Sequence, residues 1–165
     1  MDGTYLAIYL NDHLAGSTAV LSLVKRAARE HRGTELGSFF TGLAAEIEED
    51  RGELKRVMAA MGAAEQRAKQ AVAWTAEKAA RLKLNGHVVS RSPLTPFIET
   101  EAVEVGVYGK LLLWRVLRSR HGDEGPGGVR LDALVDRAES QLARLERHRL
   151  AAAAAFERDG RGARV

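Results

Sequence analysis

Cysteine is absent from the 165-residue chain, which excludes disulfides, thiolate zinc sites, iron–sulfur clusters and cysteine nucleophiles together. Proline is almost absent, confined to Pro93, Pro96 and Pro126, so long stretches contain no helix breaker. Aromatic residues make up 5%, too few for an aromatic-rich β core, and Ala and Leu dominate the apolar set. No apolar run approaches the roughly 18 residues of a membrane span. The opening Met1-Asp2-Gly3-Thr4-Tyr5-Leu6 lacks a basic leader, and Asp12 and His13 interrupt the apolar stretch that follows, so a signal peptide is not expected. The expectation is a cytoplasmic protein with no membrane partner.

Charge of either sign is also nearly balanced, 25 basic against 22 acidic residues. Much of the arginine falls where helices should end, at Lys25, Arg26, Arg29 and Arg32 and again at Arg115, Arg118 and Arg120, and cations there complement the helix dipole. No aromatics interleave with these arginines, so nucleic acid is not the expected partner. Phosphate-cradling glycine loops, dinucleotide fingerprints and serine-nucleophile signatures are missing, and no catalytic residue is assigned.

What is present is helical periodicity. Leu6, Leu10, Leu14, Ser17, Leu21, Val24 and Ala28 set the inner face of a first helix from Tyr5 to about His31. After Gly33, the run Leu36, Phe40, Leu43, Ile47, Asp50, Leu54, Val57 and Met61 makes a second helix from about Glu35, stopped by Gly62. Residues 63–84, with Trp74 and Leu82, read as a connecting helix ended by Asn85-Gly86. Ser92-Pro93-Leu94-Thr95-Pro96 supplies a cap and first-turn prolines for a third helix reaching about Ser119. Its inner face is expected at Ile98, Ala102, Val105, Gly109, Leu112 and Val116. Residues 122–128 form a loop. A fourth helix then runs from about Arg130 to Arg158 through Leu131, Leu134, Ala138, Leu142, Leu145 and Ala152. One domain, 1–158, with a flexible C-terminal tail over 159–165, follows.

Two hairpins joined by a helix of about 21 residues, spanning about 31 Å, is the arrangement of bundles with one long crossover. With the acidic mid-helix stretch Leu43-Ala44-Ala45-Glu46-Ile47-Glu48-Glu49-Asp50-Arg51, the chain resembles the ferritin-like superfamily. The resemblance implies an all-α, antiparallel four-helix bundle of two hairpins with an additional helical crossover. It also implies iron or manganese held by inward carboxylates and Glu-x-x-His pairs. That motif is missing: Leu10, Ala28, Leu84, Arg118 and Leu145 stand three residues before the five histidines.

Several polar residues nonetheless fall on or beside inner faces: His13, Asp50, Glu46, Glu101, Gln141 and His148. Burying them unpartnered costs several kcal/mol, so each should be paired or metal-bound. Folding the hairpins sets Asp50 opposite Ser17, a turn from His13, and Glu101 opposite His148. A lengthwise connector then brings Glu46 to the level of Glu101 and His148, and Glu139 to that of His13 and Asp50. The favoured reading is a set of structural polar pairs; the competing one is a metal, iron or manganese, on Glu46, Glu101 and His148 or on His13 and Asp50. The corresponding functions are a non-catalytic structural or interaction module, self-associating as a dimer through the smooth Ala151–Ala155 surface, or a metalloprotein of iron handling or oxidative-stress response with a rebuilt ligand set.

Overall fold

The computed structural model describes residues 3–65 and 94–162. Four long helices carry the chain: α1 (Gly3–Glu30), α2 (Glu35–Ala60), α3 (Thr95–His121) and α4 (Leu131–Gly162). The expected connecting helix at 63–84 and the Ser92 cap lie outside the described residues. The all-α expectation holds, and no helix among the described residues is long and apolar enough to cross a membrane.

The α1–α2 turn is built by Gly33, at φ 84°, and by Thr34, whose hydroxyl accepts from the Gly37 amide at 3.1 Å and so satisfies one of the free amides opening α2. Gly37 itself must be glycine, because a Cβ there would lie 2.1 Å from the His31 carbonyl oxygen. At its far end α2 stops at Gly62, φ 67°. Ala63 N donates to Met58 O at 2.9 Å and Gly62 N to Ala59 O at 3.2 Å, the paired bonds of a Schellman termination. α3 begins after Leu94, whose side chain makes no capping hydrogen bond, and Pro96 occupies its first turn.

Residues 122–130 are more ordered than the expected loop. Glu124–Gly125 (β1) and Val129–Arg130 (β2) pair antiparallel around a 3-10 turn, Pro126–Gly128. Val129 is buried and joins the core, which is why this short stretch holds a defined shape. α4 also continues to Gly162, through residues whose composition reads as a tail.

Helix directions follow from cross-contacts. His31, at the end of α1, bonds Glu99, at the start of α3. Arg56, near the end of α2, donates to Gly127 O in the α3–α4 turn at 3.1 Å. So α1 and α4 run one way, α2 and α3 the other, and the chain between α2 and α3 joins opposite ends of the bundle. Along its length the core divides into two apolar clusters. One gathers Leu10, Leu54, Met58, Trp114, Leu117 and Leu131 at one end; the other gathers Val24, Phe40, Leu43, Ile47, Val107 and Leu145.

The expected inner faces of α1, α2 and α4 are the observed ones, but that of α3 is not. Val103, Val107, Leu111, Trp114 and Leu117 are its buried residues, whereas Val105 is 66% exposed and Leu112 42%. Two apolar stripes run along α3, and the core takes the one carrying the larger side chains. Close approach of α1 does use Gly106, where a Cβ would lie 2.3 Å from Val20 Cγ2, while nothing crowds Gly109.

Candidate functional site

Between the two clusters every helix interrupts its apolar run. On α2, Asp50 falls between Ile47 and Leu54; on α3, Lys110 falls between Val107 and Leu111; on α4, Gln141 falls between Ala138 and Leu145. On α1, Ser17 lies between Leu14 and Leu21 and turns its hydroxyl back to Leu14 O at 2.6 Å. The result is a polar layer at mid-bundle, placed by the same heptad spacing that places the leucines.

The layer is a connected network. Lys110 Nζ donates to Asp50 Oδ2 and to Gln141 Oε1. Gln141 Nε2 donates onward to Glu46 Oε2 at 2.9 Å and, more weakly, to Asp50 Oδ2 at 3.4 Å. Glu46 is gripped by both guanidinium nitrogens of Arg144, at 2.9 and 2.6 Å, a fork-on-fork geometry of the strong kind. Arg137 Nε stands 3.0 Å from Asp50 Oδ1, near enough to pair charge yet not aligned to donate, so that oxygen has no hydrogen bond among the described residues. Arg137 instead bonds Glu49 at 2.8 Å.

Electrostatics follow from burial. Asp50 is 2% exposed, and leaving its charge unpaired there would cost several kcal/mol; Lys110 and Arg137 offset it. Burial pushes the Lys110 ammonium below the usual lysine range, against the opposing pull of Asp50. The Arg144 hydrogen bonds hold the Glu46 carboxyl below the usual carboxylate range, although desolvation works the other way. Chemically the layer holds two carboxylates already neutralised by three cations and cross-linked by one amide.

A second polar knot sits at the α1–α3 end. His31 Nε2 lies 2.9 Å from Glu99 Oε2, and Arg26 lies 3.6 Å from the other oxygen. Burial raises the Glu99 carboxyl, the His31 hydrogen bond opposing it and Glu30 adding to it.

The sequence candidates disperse among these surroundings. Asp50 and Glu46 share the mid-bundle layer, one turn apart, although the level reckoning put them in separate layers. His13 packs edge-on against Tyr9, ring centres 4.5 Å apart, and burial lowers its pKa; the envisaged His13–Asp50 pair is not formed, because Asp50 is taken by Lys110. His148 stacks on Phe39 at 4.1 Å, nearly two helical turns along α4 from Gln141. Glu101 is exposed, and Glu139 pairs with Arg115 at the surface, 2.7 Å away. Glu46, Glu101 and His148 are therefore not brought together, and among the described residues no three of His, Asp and Glu gather as a metal requires.

Sequence reasoning missed Lys110, Arg137, Arg144, His31 and Glu99. A signal for Lys110 existed: Val103, Val107, Lys110 and Trp114 share helical spacing, but the rival stripe through Val105 and Leu112 concealed it. No protein-family description, curated protein or solved structure matches this chain.

Proposed function

We propose that this chain is a ferritin-like bundle with a non-catalytic, structural or interaction role, in which internal cations take the place of a metal. The observation that carries the reading is the mid-bundle layer, where Lys110, Arg137 and Arg144 satisfy the inward carboxylates Asp50 and Glu46. A di-iron or di-manganese site would need those carboxylate oxygens free to coordinate. Parallel α2 and α3, linked end to opposite end, support the ferritin-like part of the reading, since two hairpins with one long crossover have that arrangement. A polar layer whose charges are paired between helices fixes their register, which suits a scaffold. Its interaction surface is the alanine-rich stretch Ala151–Ala155 of α4, exposed at Ala151, Ala154 and Ala155 and half-buried between, offered to a second copy of the chain.

Elemental analysis of protein purified without chelator tests the first half. The expected content of iron, manganese and zinc is far below one per chain. A content near one per chain that falls in Asp50→Ala or His148→Ala overturns it in favour of a metalloprotein. Native mass measurement tests the second half: a dimer at micromolar concentration is expected, and a strict monomer removes self-association.

A further inference from the structure

α3 exposes apolar side chains that the other described helices leave uncovered. Val105 is 66% exposed, Tyr108 51% and Leu112 42%, and their spacing of three and four residues lines them along one face of the helix. The same spacing carried outward adds Glu101 before them and Arg115 after them, both exposed. The face is therefore an apolar centre with an acid toward the N-terminal end of the helix and a base toward the C-terminal end. Apolar groups gathered in this way and rimmed by charge mark a contact surface, whereas scattered ones do not.

The arrangement is symmetric about Tyr108. Glu101 stands seven residues before it and Arg115 seven after, about 10 Å along the axis on either side. Val105 stands three before and Leu112 four after. A two-fold axis through Tyr108 lays the helix antiparallel on a second copy of itself, with Val105 on the second copy's Leu112, Tyr108 on Tyr108, and Glu101 within reach of Arg115 at both ends. A parallel pairing would put Glu101 beside Glu101 and Arg115 beside Arg115, which like charge disfavours. Arg115 already holds Glu139 at 2.7 Å, but both side chains are about half exposed, and such a pair contributes little enough to be exchanged or shared. Gly109, beside the axis, has nothing within 4 Å of the position a Cβ would take, and it presents no side chain to hold a second helix away.

We propose that this face of α3 docks a second copy of the chain, antiparallel, around a two-fold axis at Tyr108. The inference deepens the interaction role proposed above and rests on it, adding a contact separate from Ala151–Ala155. A face one helix wide is small for a permanent dimer, so binding in the micromolar range is expected. Native mass measurement of Ala154→Glu, which blocks the α4 surface, tests it, and a dimer at micromolar concentration is expected. In that background Glu101→Arg or Arg115→Glu should each weaken the dimer about tenfold or more. The two together should restore it, because a two-fold axis pairs the exchanged charges. Tyr108→Ala, at the axis, should also weaken the dimer, and it keeps the test decisive if circular dichroism shows a charge variant to be poorly folded. A strict monomer in Ala154→Glu, with a wild type that dimerises, overturns the α3 face and leaves the α4 surface standing, whereas a wild-type monomer overturns both. A dimer that these variants leave intact, or that the double exchange fails to restore, places the contact elsewhere and overturns the proposal.

Discussion

Lys110 on α3 donates to Asp50 on α2 across the middle of the bundle, a cation and an anion that together divide one apolar cluster from the other. Removing one partner leaves the other charge buried and alone. Lys110→Met or Asp50→Leu alone should therefore lower stability by about 3–5 kcal/mol. The double variant should recover most of that loss, because Gln141 keeps Glu46 and Arg137 keeps Glu49. Urea denaturation of the four proteins measures the coupling, and additive single losses would show that the two charges do not depend on each other.

Arg144 offers the contrast. Its fork on Glu46 is well formed, but both side chains are about 30% exposed, so solvent screens the pair. Arg144→Ala should cost about 1 kcal/mol, and the cost should shrink in high salt. A loss as large as that of Lys110→Met would mean that Arg144 belongs to the buried part of the network.

The two polar knots respond to pH with opposite signs. Glu99 has its folded pKa raised by burial, so the folded state binds the proton more tightly. Its charge therefore weakens the fold at neutral pH, and the penalty is relieved as pH falls through the window just above the ordinary carboxylate value of 4.5. Glu46 is held below that value by Arg144, so its contribution is present at neutral pH and is lost on acidification below 4.5. Relative to wild type, Glu99→Gln should be at its best at pH 7 and lose ground toward pH 5, whereas Glu46→Gln should show the same deficit at pH 7 and pH 5 and regain ground only below 4.5. Chemical denaturation from pH 7 to below 4.5 reads the two differences, and a common sign would contradict this assignment.

Helix spacing depends on two glycines that differ in what would yield. A Cβ at Gly106 meets the end of the Val20 side chain at 2.3 Å, so Gly106→Ala should cost about 1–3 kcal/mol and be partly rescued by Val20→Ala. At Gly37 the clash is with the His31 backbone. Gly37→Ala should lower the melting temperature more, and no side-chain substitution should restore it.

Much of the fold was legible because Leu, Phe and Ile at heptad spacing leave one solution for α2, and Gly33 and Gly62 punctuate it. α3 was misread because two stripes compete on it, and periodicity alone does not weigh Trp114 against Leu112. The polar layer was half legible. Asp50 announced itself by interrupting a clean heptad, but its partners are long cations, and the reach of Lys110, Arg137 and Arg144 is not encoded in spacing along their own helices. Short ligands such as His13 and Glu101 therefore drew attention that the flexible side chains deserved.

The pairing of sequence neighbours, α1 with α2 and α3 with α4, also bears on how the chain folds. Each hairpin closes through local contacts, which favours fast formation. Joining them requires contacts such as His31 with Glu99, 68 positions apart, and the entropy of closing that loop is offset only when the apolar clusters shared by the two hairpins form. The kinetic barrier is thus expected at the union of two preformed halves, with the buried lysine and aspartate locking together last.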